Sequence, residues 1–487
     1  MRFLGLACTL VALWSCSSGG GSSSSPQDGG PSGDSGLPLH DDGGANDAGP
    51  DDGAATDGTL AESSVPNVDA GPQDTTCAGQ CPASAVKHIV IIVQENHTFD
   101  NHFGAYCTAA PGSNPTCNDG PACCEAMPAA DPTGVKPTVL TDTEHAAWDP
   151  NHAQACELSE IDDGKMDAFA TAPISAGLSC GSTRNVAIAD PTIIKPYWDL
   201  AATGAIADRY FQSVAGQSSS NDMYLARGGF VFLDNAYSPK GAIGETCDIE
   251  SAQNQYTDKT IGDLLTTASV PWTWFYDGYA AMVAAKGSCP TKPTDCPFPL
   301  AFYPCAMDPS DVPFNYYAST VDNPSTLKDV SALTAILQGT GELPAVSFVK
   351  AIGYRQEHPG NDVTLSAGVT WVTGLIQQIE SSPFRDDTLV VLTYDEGGGY
   401  FDHVAPPATS TIDNQPYGMR LPFLAVGPLA RANYVSHVQM EHASLIKFIE
   451  WNWLGQTTGQ LGTRDTVVNN LGSVLDPTAT GVAVPEN

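Results

Sequence analysis

Two short apolar runs in this chain each end in a pair of side chains that can bind a metal ion. The runs span 89–93 and 389–394, and both carry β-branched residues at consecutive positions. Such continuous runs are typical of strands covered on both faces. Because the runs lie far apart in the chain, only a fold that places both strands in one sheet brings their ends together. The side chains at these ends are Glu95, Asn96, Asp395 and Glu396.

The rest of the hydrophobic pattern predicts an α/β fold. Strands and helices in alternation indicate a mostly parallel sheet with helices on both faces. In that architecture ligands collect at the carboxyl ends of strands, where the two pairs of side chains fall. The cysteine-rich segments 106–182 and 287–309 are expected to be insertions over this edge. Further apolar runs lie at 270–276, 346–349 and 422–426, and helical patterns at 260–268, 363–381 and 441–454.

The first residues resemble a bacterial lipoprotein leader. Residues 1–16 are typical of a signal peptide that ends at a lipobox, where Cys16 would carry the lipid. The alternative is an ordinary secretory signal with an incidental cysteine. Residues 17–76 are rich in Gly, Ser and Asp and contain no Lys, Arg or aromatic residue, which predicts a disordered acidic tether. Residues 77–487 are then expected to form the catalytic domain.

The charge of the chain limits its partners. Its formal net charge is −35 at pH 7, which argues against nucleic acid and against docking by charge onto anionic lipid. Membrane attachment is therefore expected through the lipid anchor alone. We expect an exported protein, attached to the outer membrane or cell surface if Cys16 is lipidated and secreted otherwise.

The cysteines support export. Apart from Cys8 and Cys16, the other twelve of the fourteen cysteines lie between Cys77 and Cys305. An even number in an exported chain predicts up to six disulfides. Zinc is the alternative for Cys77 with Cys81 and for Cys117 with Cys123 and Cys124, but the spacings lack a second matching pair of the zinc-finger type.

The acidic strand ends have two interpretations. Carboxylate and amide oxygens suit one divalent ion such as Ca, Mg, Mn or Zn. The same acids could instead cap helices that begin just beyond the strands. Two pairs on similar strands favour an ion, and the glycines at 397–399 let the backbone fold closely around it.

A serine cluster and several histidines are further candidates. Residues 218–220 are consecutive serines on a turn before a helical pattern, and a metal beside such a hydroxyl makes it a nucleophile. A serine at a helix start is also a common N-cap. Four histidines near polar or turn residues are candidates for catalysis or for structural hydrogen bonds. They are His152, His358, His403 and His442.

Two motifs carry a resemblance to a known family. Residues 87–104 (KHIVIIVQENHTFDNHFG) and 394–407 (YDEGGGYFDHVAPP) are similar to the opening and late motifs of a bacterial phosphoesterase family. That family contains haemolytic and non-haemolytic phospholipases C and a group of acid phosphatases. The resemblance extends over roughly 86–454. Intermediate and terminal landmarks match in the same order at 357–360, 418–422 and 441–444.

The resemblance implies an alkaline-phosphatase-like α/β core that hydrolyses phosphate esters at one metal ion. Ser218 matches the family's nucleophile, which forms a covalent phosphoserine. Ser220 and Asp222 stand where the family commonly has proline and arginine, so the resemblance leaves open which of the three serines attacks. Gly397 and Gly398 replace two polar residues of the late motif. The implied metal ligands are Glu95, Asn96, Asp395 and Glu396.

The same resemblance implies roles for other polar residues. His152 and His358 would contact phosphoryl oxygens or protonate the leaving group. Asp402 and His403 would orient the metal ligands or share the acid role. The residues assigned to substrate binding are Asn221 and His442.

The implied function is that of an exported phospholipase C or acid phosphatase acting on phospholipid or another phosphate ester. A phospholipase needs a cage for choline, for which the aromatic residues on and after the run 270–276 are candidates, although such a stripe also suits a core. The alternative is a surface-displayed binding protein that keeps the fold with little or no turnover. The aromatic residues are Trp272, Trp274, Tyr276 and Tyr279.

Overall fold

The computed structural model describes residues 81–243, 250–285, 287–299 and 301–487. The predictions of a signal peptide, of a lipid on Cys16 and of a tether over 17–76 lie outside these residues and stay predictions. In the described part of the chain, no helix is both long enough and apolar enough to cross a bilayer.

The apolar runs form strands at the expected places. The runs expected to be strands correspond to β1, β7, β9, β10 and β11 of the structure. The strands are β1 (His88–Gln94), β2 (Thr138–Leu140), β3 (Ala187–Ala189), β4 (Ala205–Ala207), β5 (Ser238–Pro239), β6 (Gln253–Asn254), β7 (Trp272–Tyr276), β8 (Leu327–Asp329), β9 (Val346–Lys350), β10 (Thr388–Tyr394), β11 (Phe423–Val426) and β12 (Tyr434–Ser436).

Eight of the described strands form one sheet in the order β12, β4, β11, β10, β1, β9, β7, β8. From β10 to β8 every neighbouring pair is parallel. Strand β11 runs antiparallel to β10 and β4, and β12 is parallel to β4. Strands β2 with β3 and β5 with β6 form two small parallel pairs outside this sheet.

The helical patterns also form helices, and three of them match α6, α9 and α10 closely. Helix α6 is closed by a capping box in which the Thr260 and Asp263 side chains bond each other's backbone N–H groups. The helices are α1 (Phe99–Phe103), α2 (Asp142–Ala146), α3 (Gln154–Ile161), α4 (Pro191–Thr203), α5 (Ser218–Arg227), α6 (Ile261–Thr267), α7 (Tyr279–Ala285), α8 (Val330–Leu337), α9 (Leu365–Glu380) and α10 (His442–Trp453).

Alternate residues of β1 enter cores on opposite faces of the sheet. Ile89, Ile91 and Val93 pack in a core that includes residues of α5, α6 and α10. Val90 and Ile92 pack in a core that includes residues of α4, α8 and α9. All five side chains are fully buried. Helices therefore cover both faces of a mostly parallel sheet, and the predicted α/β fold class is confirmed.

Disulfides hold the insertions, as the cysteine count predicted. Besides the eight cysteines of the four bonds named at the end of this paragraph, Cys81 and Cys289 are each in a disulfide. Pairing in the segment 106–182 matters most for the site, because that segment contributes α3 and the residues just before it. The bonds are Cys107–Cys124, Cys117–Cys123, Cys156–Cys180 and Cys296–Cys305.

Candidate active site

Three neighbouring strands deliver polar side chains to one edge of the sheet. Strand β1 lies between β10 and β9, with Gln94 opposite Tyr394 and Val93 opposite Lys350. The chain continues from β1 into Glu95 and from β10 into Asp395. Parallel pairing therefore places these two acids and the terminal lysine of β9 side by side, at the carboxyl ends of their strands.

The turn after β1 is bonded to the turn after β10. Asn96 has a φ of 62°, a left-handed conformation that asparagine adopts more readily than most residues. Its backbone N–H donates to Asp395 Oδ1 at 3.3 Å, and the Glu396 N–H donates to the same oxygen at 2.7 Å. One carboxylate oxygen thus fixes both turns.

Ser218 begins α5 and faces the turn after β1. Its hydroxyl donates to Asn96 Oδ1 at 3.4 Å, and the residue is only 6% exposed. Gly216, two residues earlier, has a φ of 135°, and a Cβ there would lie 2.7 Å from Asp234 Oδ1. The loop before α5 therefore needs glycine at this position to bring Ser218 to the strand ends.

The amide of Asn221 is used inside the serine loop. Its Nδ2 donates to the carbonyls of Gly216 and Gln217 at 2.8 and 3.3 Å, and its Oδ1 accepts from the Val214 N–H at 3.0 Å. Asn221 is fully buried. The structure therefore places this residue, assigned to substrate binding on sequence, where it holds the backbone that presents Ser218.

Each of the four predicted metal ligands has one buried polar atom without a hydrogen-bond partner among the described residues. An unpaired buried polar atom costs about 1 to 3 kcal/mol, and three of the four are carboxylate oxygens, which a divalent ion would satisfy. The fourth is an amide N–H donor, so Asn96 would bind an ion through Oδ1, the atom that accepts from Ser218. The atoms are Glu95 Oε1, Asn96 Nδ2, Asp395 Oδ2 and Glu396 Oε1.

Lys350 lies among the same acids. Its Nζ is 2.7 Å from Glu95 Oε1 and 3.7 Å from Asp395 Oδ2. Lys350 therefore forms an ion pair with Glu95. Two further carboxylates, of Asp222 and Asp311, lie 3.0 and 3.6 Å from the same nitrogen.

Burial of this group shifts its pKa values. Burial is the main cause that raises the pKa of Glu95, Asp222 and Asp395 above the ordinary carboxyl range. Burial alone would lower the pKa of Lys350, but the surrounding carboxylates hold it well above its usual value. The acids together outnumber the single ammonium, so a further cation would stabilise their ionised forms.

His152 contacts Glu396, and His358 packs against His152. His152 Nε2 is 3.7 Å from Glu396 Oε1, and His152 Nδ1 is 3.6 Å from Asp149 Oδ1. Burial alone would lower the pKa of His152, but the Glu396 and Asp149 carboxylates raise it to about 9. The ring of His358 lies edge-on to the ring of His152 with centroids 5.9 Å apart. His152 is thus a protonated donor at neutral pH.

A cavity of about 360 Å³ opens beside His152. Its lining comes from the segment before α3, from the segment around Cys180, and from Gln217, the residue before Ser218. The Cys156–Cys180 disulfide joins the first two of these walls. The cavity therefore connects His152 with the serine loop. Its lining includes Trp148, Asp149, Asn151, Ser179, Ser182 and Gln217.

Asp402 and His403 lie in a different group. Asp402 Oδ1 accepts from Arg420 Nε at 2.8 Å, and His403 Nδ1 is 2.7 Å from Asp100 Oδ2. The second ring nitrogen of His403 is 3.0 Å from Glu125. These contacts tie α1 to the segment after β10. Among the described residues, Asp100, Asp402 and His403 are one of two groups whose ligand atoms lie within 4.8 Å of one another and could hold a metal ion; the other is Asp149, His152 and His358.

His442 lies behind Asp395. Its Nε2–H donates to the Asp395 carbonyl at 2.7 Å, and its Nδ1 accepts from the Tyr210 hydroxyl at 2.9 Å. Burial lowers the pKa of His442 to about 4, so the ring is neutral. With both nitrogens occupied, His442 supports the backbone at the end of β10.

Sequence reasoning missed a buried network behind His358. Glu357 has a φ of 67°, and its carboxylate accepts from the hydroxyls of Tyr197 and Tyr394 at 2.5 and 2.6 Å. Its carbonyl lies 3.1 Å from His97 Nε2. This network fixes the turn that presents His358.

Sequence reasoning also missed Lys350 and Asp311, and treated Asp222 only as a departure from a family pattern. The available signal for Lys350 was a lysine that ends an otherwise apolar strand. Such a charge is rarely buried unless it is paired. Asp311 lies in a short turn of the segment 309–311, where no periodic pattern marks it.

Comparison with known proteins places this geometry in a family. The model of the phosphoesterase family matches residues 86–454. The non-hemolytic phospholipase C of Pseudomonas aeruginosa is 23% identical over 415 residues, which cover 75% of this chain and 53% of that protein. Phospholipase C B of Mycobacterium tuberculosis is 23% identical over 467 residues, covering 82% of this chain and 80% of that protein. The chain thus spans about half the length of the Pseudomonas relative.

Among solved structures, a protein in the alkaline phosphatase superfamily from Vibrio parahaemolyticus overlaps 79% of this chain and 71% of its own chain. The TM-score is 0.32 and the identity 9%. Similarity at this level says nothing about ligands or reaction. The family model, by contrast, covers most of the chain, including β1, the serine loop, β9, β10 and α10. The chain therefore belongs to the phosphoesterase family.

Proposed function

We propose that the chain is an exported, metal-dependent phosphoesterase that hydrolyses phosphate esters through a phosphoserine at Ser218. The observation that carries this proposal is the position of the Ser218 hydroxyl, 3.4 Å from Asn96 Oδ1. Asn96 is one of four buried side chains that each leave a polar atom unpaired. Phospholipase C relatives support a phosphate-ester substrate. The disulfides support an oxidising compartment.

Glu95, Asn96, Asp395 and Glu396 would hold one divalent ion. When bound, such an ion supplies positive charge that stabilises a serine alkoxide and phosphoryl oxygens. Ser218 Oγ bonds to phosphorus while the ester oxygen leaves, and the hydroxyl proton passes to solvent. His152 gives its proton to the leaving oxygen. Water then attacks phosphorus and gives one proton to His152, while the Ser218 oxygen leaves phosphorus and takes a proton from solvent, which releases phosphate and restores the hydroxyl.

The cavity beside His152 is where the leaving group would lie. Its polar lining favours a small hydrophilic alcohol, whereas the relatives named phospholipase C favour a lipid. Trp272, Trp274 and Tyr276 are at most 4% exposed and lie in a core of the sheet, so a choline cage would have to be built elsewhere. We therefore propose a soluble phosphate ester as the preferred substrate and a phospholipid as the second candidate.

The experiment compares an aryl phosphate, glycerol phosphate and phosphatidylcholine vesicles as substrates for the full chain. Each is assayed before chelation, after chelation and after return of Ca, Mg, Mn or Zn. We expect hydrolysis that chelation abolishes and one of these ions restores. Inertness toward all three substrates with every ion contradicts the proposal. Tight binding of a phosphate ester without turnover would favour the surface-displayed binding protein. The observation behind that alternative is that Ser220 and Asp222 stand where the family commonly has proline and arginine.

Attachment to a membrane through a lipid on Cys16 is a separate proposal. Its support is the leader sequence alone, since Cys16 lies outside the described residues. Expression with a labelled fatty acid should label the wild-type chain, and Cys16→Ser should abolish the label and release the protein from membranes. Equal labelling of both chains would contradict the lipid anchor.

A further inference from the structure

The ammonium of Lys350 has an unusual set of neighbours. Four carboxylate oxygens surround its Nζ, from Glu95 at 2.7 Å, Asp222 at 3.0 Å, Asp311 at 3.6 Å and Asp395 at 3.7 Å. The lysine is fully buried, and each of the four acids is at most 4% exposed. Four hard oxygen ligands around one point form a donor set that suits a divalent metal ion. Here a protein side chain occupies that point.

The four acids come from different parts of the fold, and two of them, Asp311 and Asp395, are held from outside the group. Asp311 Oδ2 accepts from the Tyr276 hydroxyl at 2.9 Å and from Gln356 Nε2 at 3.3 Å. Asp395 Oδ1 accepts from two backbone N–H groups, as described above. Asp222 lies within α5 and has an unpaired Oδ1. Asp311 and Asp395 are therefore fixed beside the lysine by partners of their own.

Two of the four acids are shared with the proposed metal site. Glu95 and Asp395 face Lys350, and they are also two of the four proposed ligands. Asp222 and Asp311 are not among the proposed ligands. Glu95 and Asp395 therefore face both the ammonium and the position proposed for the ion.

We propose that Lys350 is a built-in second cation, which occupies the position where Glu95, Asp222, Asp311 and Asp395 would otherwise bind a second metal ion. The inference deepens the proposed function and rests on it for the first ion. Lys350 is a positioning residue: it neutralises part of the charge of the acids and keeps Glu95 and Asp395 facing the first ion. The centre then takes one ion rather than two.

The test counts ions in the full chain with Mn²⁺ as the probe, after desalting removes weakly bound ions from exposed acids. An isolated Mn²⁺ gives a six-line electron paramagnetic resonance spectrum, whereas two ions that share a carboxylate are magnetically coupled. The variant Lys350→Ala vacates the position and leaves the acids in place. Lys447→Ala is the matched control, because Lys447 is also buried but donates to the Val468 carbonyl at 2.7 Å.

We expect one uncoupled ion in the wild type and in the control Lys447→Ala, and a coupled pair in Lys350→Ala. With chelator present, Lys350→Ala should melt about 5 °C or more below the wild type, because acids lose their buried partner. Mn²⁺ should reverse most of this loss. If Lys350→Ala does not fold, the double variant with Asp222→Asn, which removes one acid as well, is counted instead.

A coupled pair in the wild type overturns the proposal, as does a single ion in the folded Lys350 variant with a melting temperature equal to that of the wild type. A wild type that binds no ion contradicts the proposed metal-dependent function instead. In that case one ion gained by Lys350→Ala still supports the role of Lys350, and no gain overturns it. Neither readout depends on hydrolysis, so the two proposals fail separately.

Discussion

The Ser218 hydroxyl lies 3.4 Å from Oδ1 of Asn96, a contact between the first turn of α5 and the turn after β1. Neither turn would hold this geometry alone. Asn96 is in a left-handed conformation and is tied to Asp395, while the serine loop is tied to Asn221. The contact therefore joins the proposed nucleophile to the proposed metal ligands.

Replacement of Ser218 by alanine should abolish hydrolysis. We expect kcat to fall by about 10³-fold or more, because no phosphoserine can form, while metal content stays unchanged. Ser219→Ala is the matched control and should keep kcat within about tenfold of the wild type. Rapid-quench assays with labelled substrate should find phosphoserine in the control only. Equal activity of the two variants would contradict the assignment of Ser218.

His152→Gln should make the reaction sensitive to the leaving group. An alkyl alkoxide needs a proton as it leaves, so kcat for an alkyl phosphate should fall by about 10²-fold to 10³-fold. An aryloxide is a weaker base and needs less protonation as it leaves, so kcat for an aryl phosphate should fall much less. The measurement is kcat for a series of esters whose alcohols differ in pKa.

His403→Gln is the control for that series. His403 bonds to Asp100 and Glu125 in the neighbouring group, so its loss should lower the melting temperature without changing the dependence on the leaving group. A steeper dependence in His403→Gln than in His152→Gln would transfer the acid role to His403.

The raised pKa of the Glu450 carboxyl should make the stability of the fold depend on pH. Burial and the neighbouring Asp465 raise the pKa of Glu450 to about 8, so the folded chain holds a proton that the unfolded chain releases above about pH 4.5. Stability from this group is full below pH 4.5 and is lost as pH rises through 8. Glu450→Gln removes the charge, but its Nε2 cannot accept from the backbone N–H groups of Gly459 and Gln460, which donate to the two carboxylate oxygens. The free energy of unfolding of the variant, relative to that of the wild type, should therefore rise by up to about 4 kcal/mol between pH 4 and pH 9. Urea unfolding curves that shift equally at both pH values would contradict this.

The Cys156–Cys180 disulfide should matter for stability and for turnover. It closes a loop with a sequence separation of 24, whereas Cys117–Cys123 closes one of 6. Removal by paired alanines should cost about 3 kcal/mol for the first bond and about 2 kcal/mol for the second.

Only loss of the first bond should also lower kcat. Cys180 lines the cavity, and Glu157, next to Cys156, accepts from the Gly216 N–H at 2.7 Å in the serine loop. Stability by urea unfolding and kcat on an aryl phosphate are measured for both double variants. Equal effects of the two variants on kcat would show that the cavity wall does not act through the serine loop.

The parts of the fold that repeat a pattern could be predicted from sequence. Continuous apolar runs marked β1 and β10, and their acidic ends followed because parallel strands end at one edge. Contacts that depend on irregular segments could not be predicted. Asp311 lies in a turn, and Asn221 could have faced substrate or its own loop until the backbone was known. Lys350 carried a signal, a charge at the end of a buried strand, but its four partners come from four separate segments.

The position of β1 in the sheet has a consequence for synthesis of the chain. Its two neighbours, β9 and β10, are made only after most of the polypeptide has emerged, because β10 ends at Tyr394. Until then β1 is an apolar strand with both edges open, a segment prone to aggregation. A nascent chain would thus expose this strand until β9 and β10 have been made, and the proposed metal ligands of β1 and β10 could not meet before then.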